Sequence, residues 1–493
     1  MTRTKKQSTE AAVREIRLAV PGASTALGLA ACLGLAACLG LAGCGGADGE
    51  PETVPARPGD IVLITIDTLR VDHLGIYGYR RSTSPNIDRW FSKGAIFERA
   101  YSTEASTSPS VVSILSGTLP QEHGVRLFFQ HVPTDVKLLP DLLPDEYQSA
   151  AIVSNMVLTD EAMGMASYFD HYDDFVDQRE SVRKIFERNA KGTTDAALRW
   201  LATQRDPDRP AFLWVHYNDP HGPYKPPSDW KTEFGHEGSV PVIVEKIYPY
   251  ALLEGVDDAL TYVDRYDAEI NYCDHQVDRL LKAYAKTQPI DDALVLLTSD
   301  HGESMMDHER WFAHTYHVYE ELVHVPLLLR GPGVEPIRTQ RLVSSIDVAT
   351  TILGFAGAEI PSGLQGFDLR RGSTLTLDRT VFAEASRMDG QWRAAIRGDK
   401  KWITLVRGLR RKIFERVLYD LAADPEEATK APWPEMPAQG SPSAVLEEMV
   451  RTDPDPSGWP RAFVRGTRLD APKAAPGLTD EQFEILKSLG YTK

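Results

Sequence analysis

Three short stretches of this 493-residue chain place carboxylates and imidazoles directly behind apolar runs of strand type. ITIDTLR carries Asp67, VHYNDPHGPY carries His216, Asp219 and His221, and LLTSDHGE carries Asp300, His301 and Glu303. Oxygen ligands mixed with imidazole nitrogens suit Zn²⁺ or Mn²⁺, whereas an all-oxygen set favours Ca²⁺ or Mg²⁺. A fourth stretch, ASTSPSVVSILSG from Ala105 to Gly117, offers a nucleophile. Pro109 fits the first turn of a helix, Val112, Ile114 and Leu115 give it an apolar side, and Gly117 can end it. Thr107 and Ser108 then stand at the helix start, where unpaired N–H groups and the positive end of the dipole favour an alkoxide and a bound tetrahedral anion. Aspartate, serine and threonine in such places also serve as plain caps and turn formers. What singles these out is that several strands would have to deliver them to one edge.

The elements that must position them are legible as four short apolar runs, Ile61–Ile66, Ala150–Val153, Ala211–Val215 and Ala293–Leu297. Each reads as a strand buried on both faces. Between them lie segments of helical period around Val111–Ser116, Arg179–Thr203 and Tyr262–Lys286. Alternation of this kind predicts an α/β fold with a mostly parallel central sheet and helices on both faces. In such a sheet ligands bind beyond the carboxyl ends of the strands, which is where Asp67, His221, Asp300 and His301 fall. From about residue 358 the texture changes to Gly/Pro-rich turns, a basic patch around Arg407–Arg416 and a final helical stretch Asp480–Leu489. This tail reads as a smaller C-terminal α+β subdomain.

The stretches ITIDTLRVDHLGIYGY, STSPNIDRW, Thr107–Gly117 with LPQEHGV, DPHGPY, TSDHGE, HVYEELVHVPLLLRGPG and LYDLAADPEE together resemble the sulfatase family of the alkaline phosphatase superfamily. The resemblance runs from about Ile61 to the end. It implies an alkaline-phosphatase-like three-layer sandwich and a metal-dependent hydrolase of sulfate or phosphate esters. Family sulfatases carry C/S-x-P-x-R, whose Cys or Ser is oxidised to formylglycine. Aligned on Gly117, this chain has Thr107 at the nucleophile position, keeps Pro109, and has Val111 where the Arg should stand. Threonine cannot yield formylglycine, so Thr107 resembles instead the alkoxide nucleophile of phosphodiesterase and phosphotransferase relatives. The resemblance implies one divalent cation, Zn²⁺, Mn²⁺ or Ca²⁺, held by Asp67, Asp300, His301 and Thr107. Thr68 replaces the second Asp of the family's pair. His221 falls at the position that meets the ester or leaving oxygen, and His314 where relatives place a Lys or His near the leaving group. Ser154-Asn155 stands in place of a K-x-H pair, leaving Asn155 to hydrogen-bond an ester oxygen.

Charge and composition narrow the classes. Counts of 54 Lys+Arg against 70 Asp+Glu argue against a broad nucleic-acid-binding surface. Arg3, Lys5, Lys6, Arg14 and Arg17 precede a charge-free run from Leu18 to Ala47 that contains LGLAAC twice and LGLAGC once, ending on Cys44. This is the layout of a secretory signal, and Leu41–Cys44 resembles a bacterial lipobox, although the two earlier copies fit it too and the run is long enough to span a bilayer. The expected organisation is a signal over 1–43, lipidated Cys44 opening a flexible spacer over 44–60, a catalytic domain over 61–357 and a subdomain over 358–493. The body would then sit in the cell envelope, outside the cytoplasm and anchored to a membrane. Removing residues 1–43 takes five basic and two acidic side chains away, leaving 49 against 68 and a net charge of −19. Only Cys273 remains beyond the signal, so the fold rests on its core, with Cys273 expected inside a helix. A glycan, lipid or small-molecule ester is the expected substrate. Transfer of a head group to an acceptor, or a tethered binding protein without turnover, are the other readings.

Overall fold

The structure is a computed structural model that describes residues 59–452 apart from 177, 180–185, 309, 388–389, 408–411 and 435–437. The expected signal, Cys44, most of the spacer and the helical stretch Asp480–Leu489 lie outside the described residues. Strands in chain order are β1 (Ile61–Ile66), β2 (Ala95–Tyr101), β3 (Gln148–Ile152), β4 (His171–Asp173), β5 (Gln178–Arg179), β6 (Phe186–Glu187), β7 (Ala211–Tyr217), β8 (Leu294–Ser299), β9 (His324–Arg330), β10 (Arg338–Thr339) and β11 (Val343–Ser344). A C-terminal set follows as β12 (Thr380–Arg387), β13 (Gly390–Arg397), β14 (Lys400–Arg407) and β15 (Lys412–Asp420).

The main sheet has the order β10-β2-β9-β8-β1-β7-β3-β4, with β11 also on β2. Strands β8, β1, β7, β3 and β4 pair in parallel, and β9 runs against both of its neighbours. Every residue of β1, β7 and β8 is buried, which explains why they read as unbroken apolar runs with no alternation. One face of the sheet packs Leu63, Leu296 and Trp214 against Val112 and Leu115 of the helix Thr107–Ser116 and Val348 and Ile352 of the helix Asp347–Ala356. Helices Pro85–Phe91, Ala190–Thr203 and Leu260–Thr287 cover the other. The result is the expected three-layer sandwich.

Two expected helices differ in extent. The helix of Tyr262–Lys286 spans Leu260–Thr287 and buries Cys273. The one expected over Arg179–Thr203 begins only at Ala190, because the Asn189 side chain accepts the Gly192 N–H and caps it there. Strands β12 to β15 form an antiparallel sheet in sequence order, joined to the main unit by a second core in which Val381, Ile396 and Ile403 meet Tyr101, Leu322 and Val323. No helix among the described residues is long and apolar enough to cross a membrane.

Candidate active site

The carboxyl ends of β1, β7 and β8 lie level, since Ile66 pairs with Tyr217 on one side and Ser299 on the other. Asp67, Asn218 and Asp300 therefore leave the sheet side by side. The Asp67 N–H still donates to Tyr217 O at 2.9 Å, which holds the first residue beyond the strand in place. Thr68 follows at φ 55°, a strained setting for a β-branched residue, and its N–H donates to Asp300 Oδ1 at 3.3 Å. Strand β2 ends at Tyr101 and leads into the nucleophile helix. Ser102 Oγ and Ser110 Oγ both donate to Asp300 O, tying that helix to the end of β8. Gly117, at φ 72°, closes the helix by donating to Ser113 O at 2.9 Å.

These elements bring Thr107 and the acidic cluster together. Thr107 Oγ1 lies 3.3 Å from His301 Nε2. Nδ1 of the same ring is 2.9 Å from Gly302 O, which only accepts, so Nδ1 carries the proton and Nε2 presents a lone pair to the hydroxyl. His301 Nε2 also lies 3.7 Å from Asp67 Oδ1 and 3.6 Å from Asp300 Oδ2. His216 Nε2 lies 3.7 Å from Asp67 Oδ2, its other nitrogen 2.8 Å from Thr65 Oγ1.

One atom each of Asp67, His216 and Asp300 fall within 4.8 Å of one another. Asp67 Oδ1, His216 Nε2 and Asp300 Oδ2 are buried without a hydrogen-bond partner. Three such atoms converging are costly unless a cation joins them. Two ligands on one Zn²⁺ lie roughly 3–3.5 Å apart, so His301 and Thr107 fit the same ion with little movement. Burial opposes ionisation of Asp67, yet contact with His216 and the charges of His221 and His301 hold its carboxyl below the usual range. Burial and the facing Asp67 charge raise that of Asp300. Two facing carboxylates ionise together only when a cation neutralises them.

The remaining expected residues surround this cluster. His221, between two cis-prolyl bonds, stacks on Tyr250 at 6.2 Å and meets His314 edge-on at 5.1 Å. His314 is in turn 4.6 Å from the His301 ring. Its Nδ1 lies 3.2 Å from Glu303 Oε1. Burial works against the His314 imidazolium, but Glu303, with Asp67 and Asp300 beyond it, holds its pKa above the ordinary value. Asn155, expected as an ester contact, is turned toward Asp67. Its Nδ2 donates to Asp67 Oδ2 at 2.7 Å and its Oδ1 accepts the Val157 N–H at 3.1 Å, so the amide orients the carboxylate. Val111 is fully buried in the main core, so that position presents no charge to the ester.

A family profile described as Sulfatase matches residues 59–358. The chain belongs to the sulfatase family. It is 23% identical over 404 residues to the N-acetylglucosamine-6-O-sulfatase of Bacteroides thetaiotaomicron, covering 65% of this chain and 72% of that one. A solved structure bound to its substrate D-glucosamine-2-N,6-O-disulfate superposes with a TM-score of 0.62 at 20% identity, over 81% of this chain and 99% of that one. The phosphonate monoester hydrolase of Agrobacterium radiobacter gives 0.62 at 19% identity, over 76% and 91%. The protein is thus a sulfatase-type ester hydrolase, in a family whose members depend on metal.

His216 and Glu303 gain roles that the sequence left open. His216 stands near the end of β7 and Glu303 beyond the end of β8, but a lone chain gives no sign that His216 turns toward Asp67 or that Glu303 faces a residue eleven positions away.

Proposed function

We propose that this sulfatase-family enzyme cleaves its ester by direct attack of Thr107, through a covalent threonyl ester, with phosphorus esters favoured over sulfate. The observation that carries the reading is the Thr107 hydroxyl at 3.3 Å from a His301 nitrogen that holds a lone pair, over the Asp67–His216–Asp300 cluster. Asp67, His216, Asp300 and His301 would hold the cation, with Thr107 beside them. A divalent ion there supplies Lewis-acid help, lowering the hydroxyl pKa and neutralising charge on the ester.

The chain's own groups do the rest. The Thr107 hydroxyl gives up its proton to solvent and its oxygen forms a bond to phosphorus or sulfur, while the bond to the leaving oxygen breaks as that oxygen takes up a proton. His221 supplies this proton, and His314, held by Glu303, keeps the neighbouring position charged. Water then attacks the same centre, and the Thr107 oxygen leaves and recovers its proton. The absence of formylglycine chemistry favours phosphate or phosphonate, a class that the solved Agrobacterium radiobacter relative also takes by its name. The D-glucosamine-2-N,6-O-disulfate bound by another structural relative makes an anionic sugar ester the second substrate to assay.

The test is a panel of aryl phosphate mono- and diesters, aryl phosphonates and aryl sulfates, with metal added back. Activity on phosphorus esters that Thr107→Ala abolishes supports the reading. Undiminished activity in Thr107→Ala overturns it, and product found only on an added alcohol identifies a transferase. The same proposal places the enzyme in the cell envelope on a lipid at Cys44, supported by the basic start and the charge-free run Leu18–Ala47. Mass analysis of the mature N-terminus checks this: lipid on Cys44 supports it, and an intact Met1 overturns it.

A further inference from the structure

Behind His314 the chain carries a second group of metal-type side chains that shares no residue with the Asp67 cluster. One ligand atom each of His308, His317 and Glu321 falls within 4.8 Å of the others. His308 Nδ1 is 2.8 Å and His317 Nε2 3.7 Å from the same Glu321 oxygen. The His317 side chain is only 8% exposed, and neither ring nitrogen has a hydrogen-bond partner. A neutral imidazole buried this way leaves one donor and one acceptor unmet, and a metal ion is the partner that its lone pair lacks. His308 is 21% exposed at the rim and gives the site an edge open to solvent.

The backbone points the same way. Among the described residues between 306 and 315, the non-glycine residues Met306, His308, Phe312 and Thr315 have positive φ. Such strain persists only where the surroundings over-determine the backbone. The loop is pinned at its base, where Ser304 N–H donates to Ala313 O at 3.0 Å and Phe312 N–H to Ser304 O at 2.6 Å. His308 lies within this loop, and His317 and Glu321 lie on the segment that leaves it. An ion joining the three would clamp the loop and, with it, His314.

We propose that His308, His317 and Glu321 form a structural site for a divalent ion of the Zn²⁺ class, separate from the catalytic one, that fixes the loop bearing His314. Two imidazoles and one carboxylate are a ligand set for Zn²⁺ with water completing the shell. Residue Tyr319 stacks flat on His308 at 3.7 Å, holding that ring for the ion.

The experiment counts Zn²⁺ on the purified full chain after saturation and removal of loose metal, in two backgrounds. His317→Gln is expected to lose one equivalent from the wild type and one from Asp67→Asn. In the Asp67→Asn background Zn²⁺ should still raise the melting temperature, and this rise should vanish when His317→Gln is added. His308→Gln, at the partly exposed rim, repeats the count where a folding defect is least expected. Unchanged zinc content in both His317→Gln and His308→Gln overturns the proposal and leaves a His308–Glu321 ion pair beside a neutral His317. Because zinc is counted with Asp67 already disabled, the outcome is independent of the catalytic reading.

Discussion

At the scale of single residues, the site is defined by which atoms lack partners. Asp67 Oδ1, His216 Nε2 and Asp300 Oδ2 are unmatched and buried, while Thr107 Oγ1 faces His301 Nε2 at 3.3 Å. Thr107→Ala removes the attacking atom, and kcat is expected to fall by roughly three orders of magnitude or more. Thr107→Ser keeps the oxygen and should retain measurable turnover, which separates loss of the nucleophile from loss of the helix start. His221→Ala should spare esters of acidic phenols and slow alkyl esters far more, because only a poor leaving group needs a donated proton. Equal losses on both would remove His221 from that role. His216→Gln takes a nitrogen from the cluster, so the metal content of the Asp67 site should drop and activity should be partly regained at high Zn²⁺ or Mn²⁺, read by a metal titration.

At the scale of elements, close approaches set the site. A Cβ on Gly302 would lie 2.0 Å from Glu321 O, and the Gly302 N–H donates to Leu322 O at 2.8 Å. Gly302→Ala must therefore push the segment after β8 off the strap before β9, at a cost of about 1–3 kcal/mol. Gly235→Ala, where nothing lies within 4 Å, is the neutral control. Urea melts of the two variants check the contrast, and equal midpoints would deny the close packing. The same elements show what a sequence reader can see. β1, β7 and β8 were legible because burial on both faces leaves an unbroken apolar run, and the nucleophile helix because Pro109 and Gly117 bracket it. β9 was not, since Pro326 interrupts it; there Tyr77 Oη accepts the Leu327 N–H at 2.9 Å. The late start of the helix at Ala190 was hidden because helical apolar spacing in the sequence, Val182, Ile185 and Phe186, precedes the cap at Asn189. The bond from the Asn155 amide to Asp67 at 2.7 Å is visible only in the tertiary structure, because 88 positions separate the two residues.

At the scale of the whole molecule, the small sheet is fastened to the segments that build the site. Glu384 of β12 accepts the Ala105 N–H at 3.1 Å and donates its own N–H to Thr103 O at 2.8 Å, directly before the nucleophile helix. Lys401 of β14, fully buried, reaches Glu320 Oε1 at 2.9 Å and Glu427 Oε1 at 3.0 Å, fixing the segment behind the His314 loop. One ammonium cannot neutralise two buried carboxylates. Burial, only partly offset by Lys401, pushes the Glu427 carboxyl up to about 8, while Glu320 is held low mainly by Lys401 against its own burial. A folded-state value above the ordinary 4.5 means that the folded protein binds this proton more tightly than the unfolded chain. Its contribution to stability is full below pH 4.5 and is lost as the pH rises through about 8. Glu427→Gln keeps the neutral shape and should flatten that fall in a series of denaturant melts from pH 5 to 8. Lys401→Met leaves Glu320 without its cation and should cost about 3–5 kcal/mol. Adding Glu427→Gln to it should restore part of the loss, since one buried acid is then gone. Additive losses in the double variant would mean that the small sheet is held by its apolar core alone.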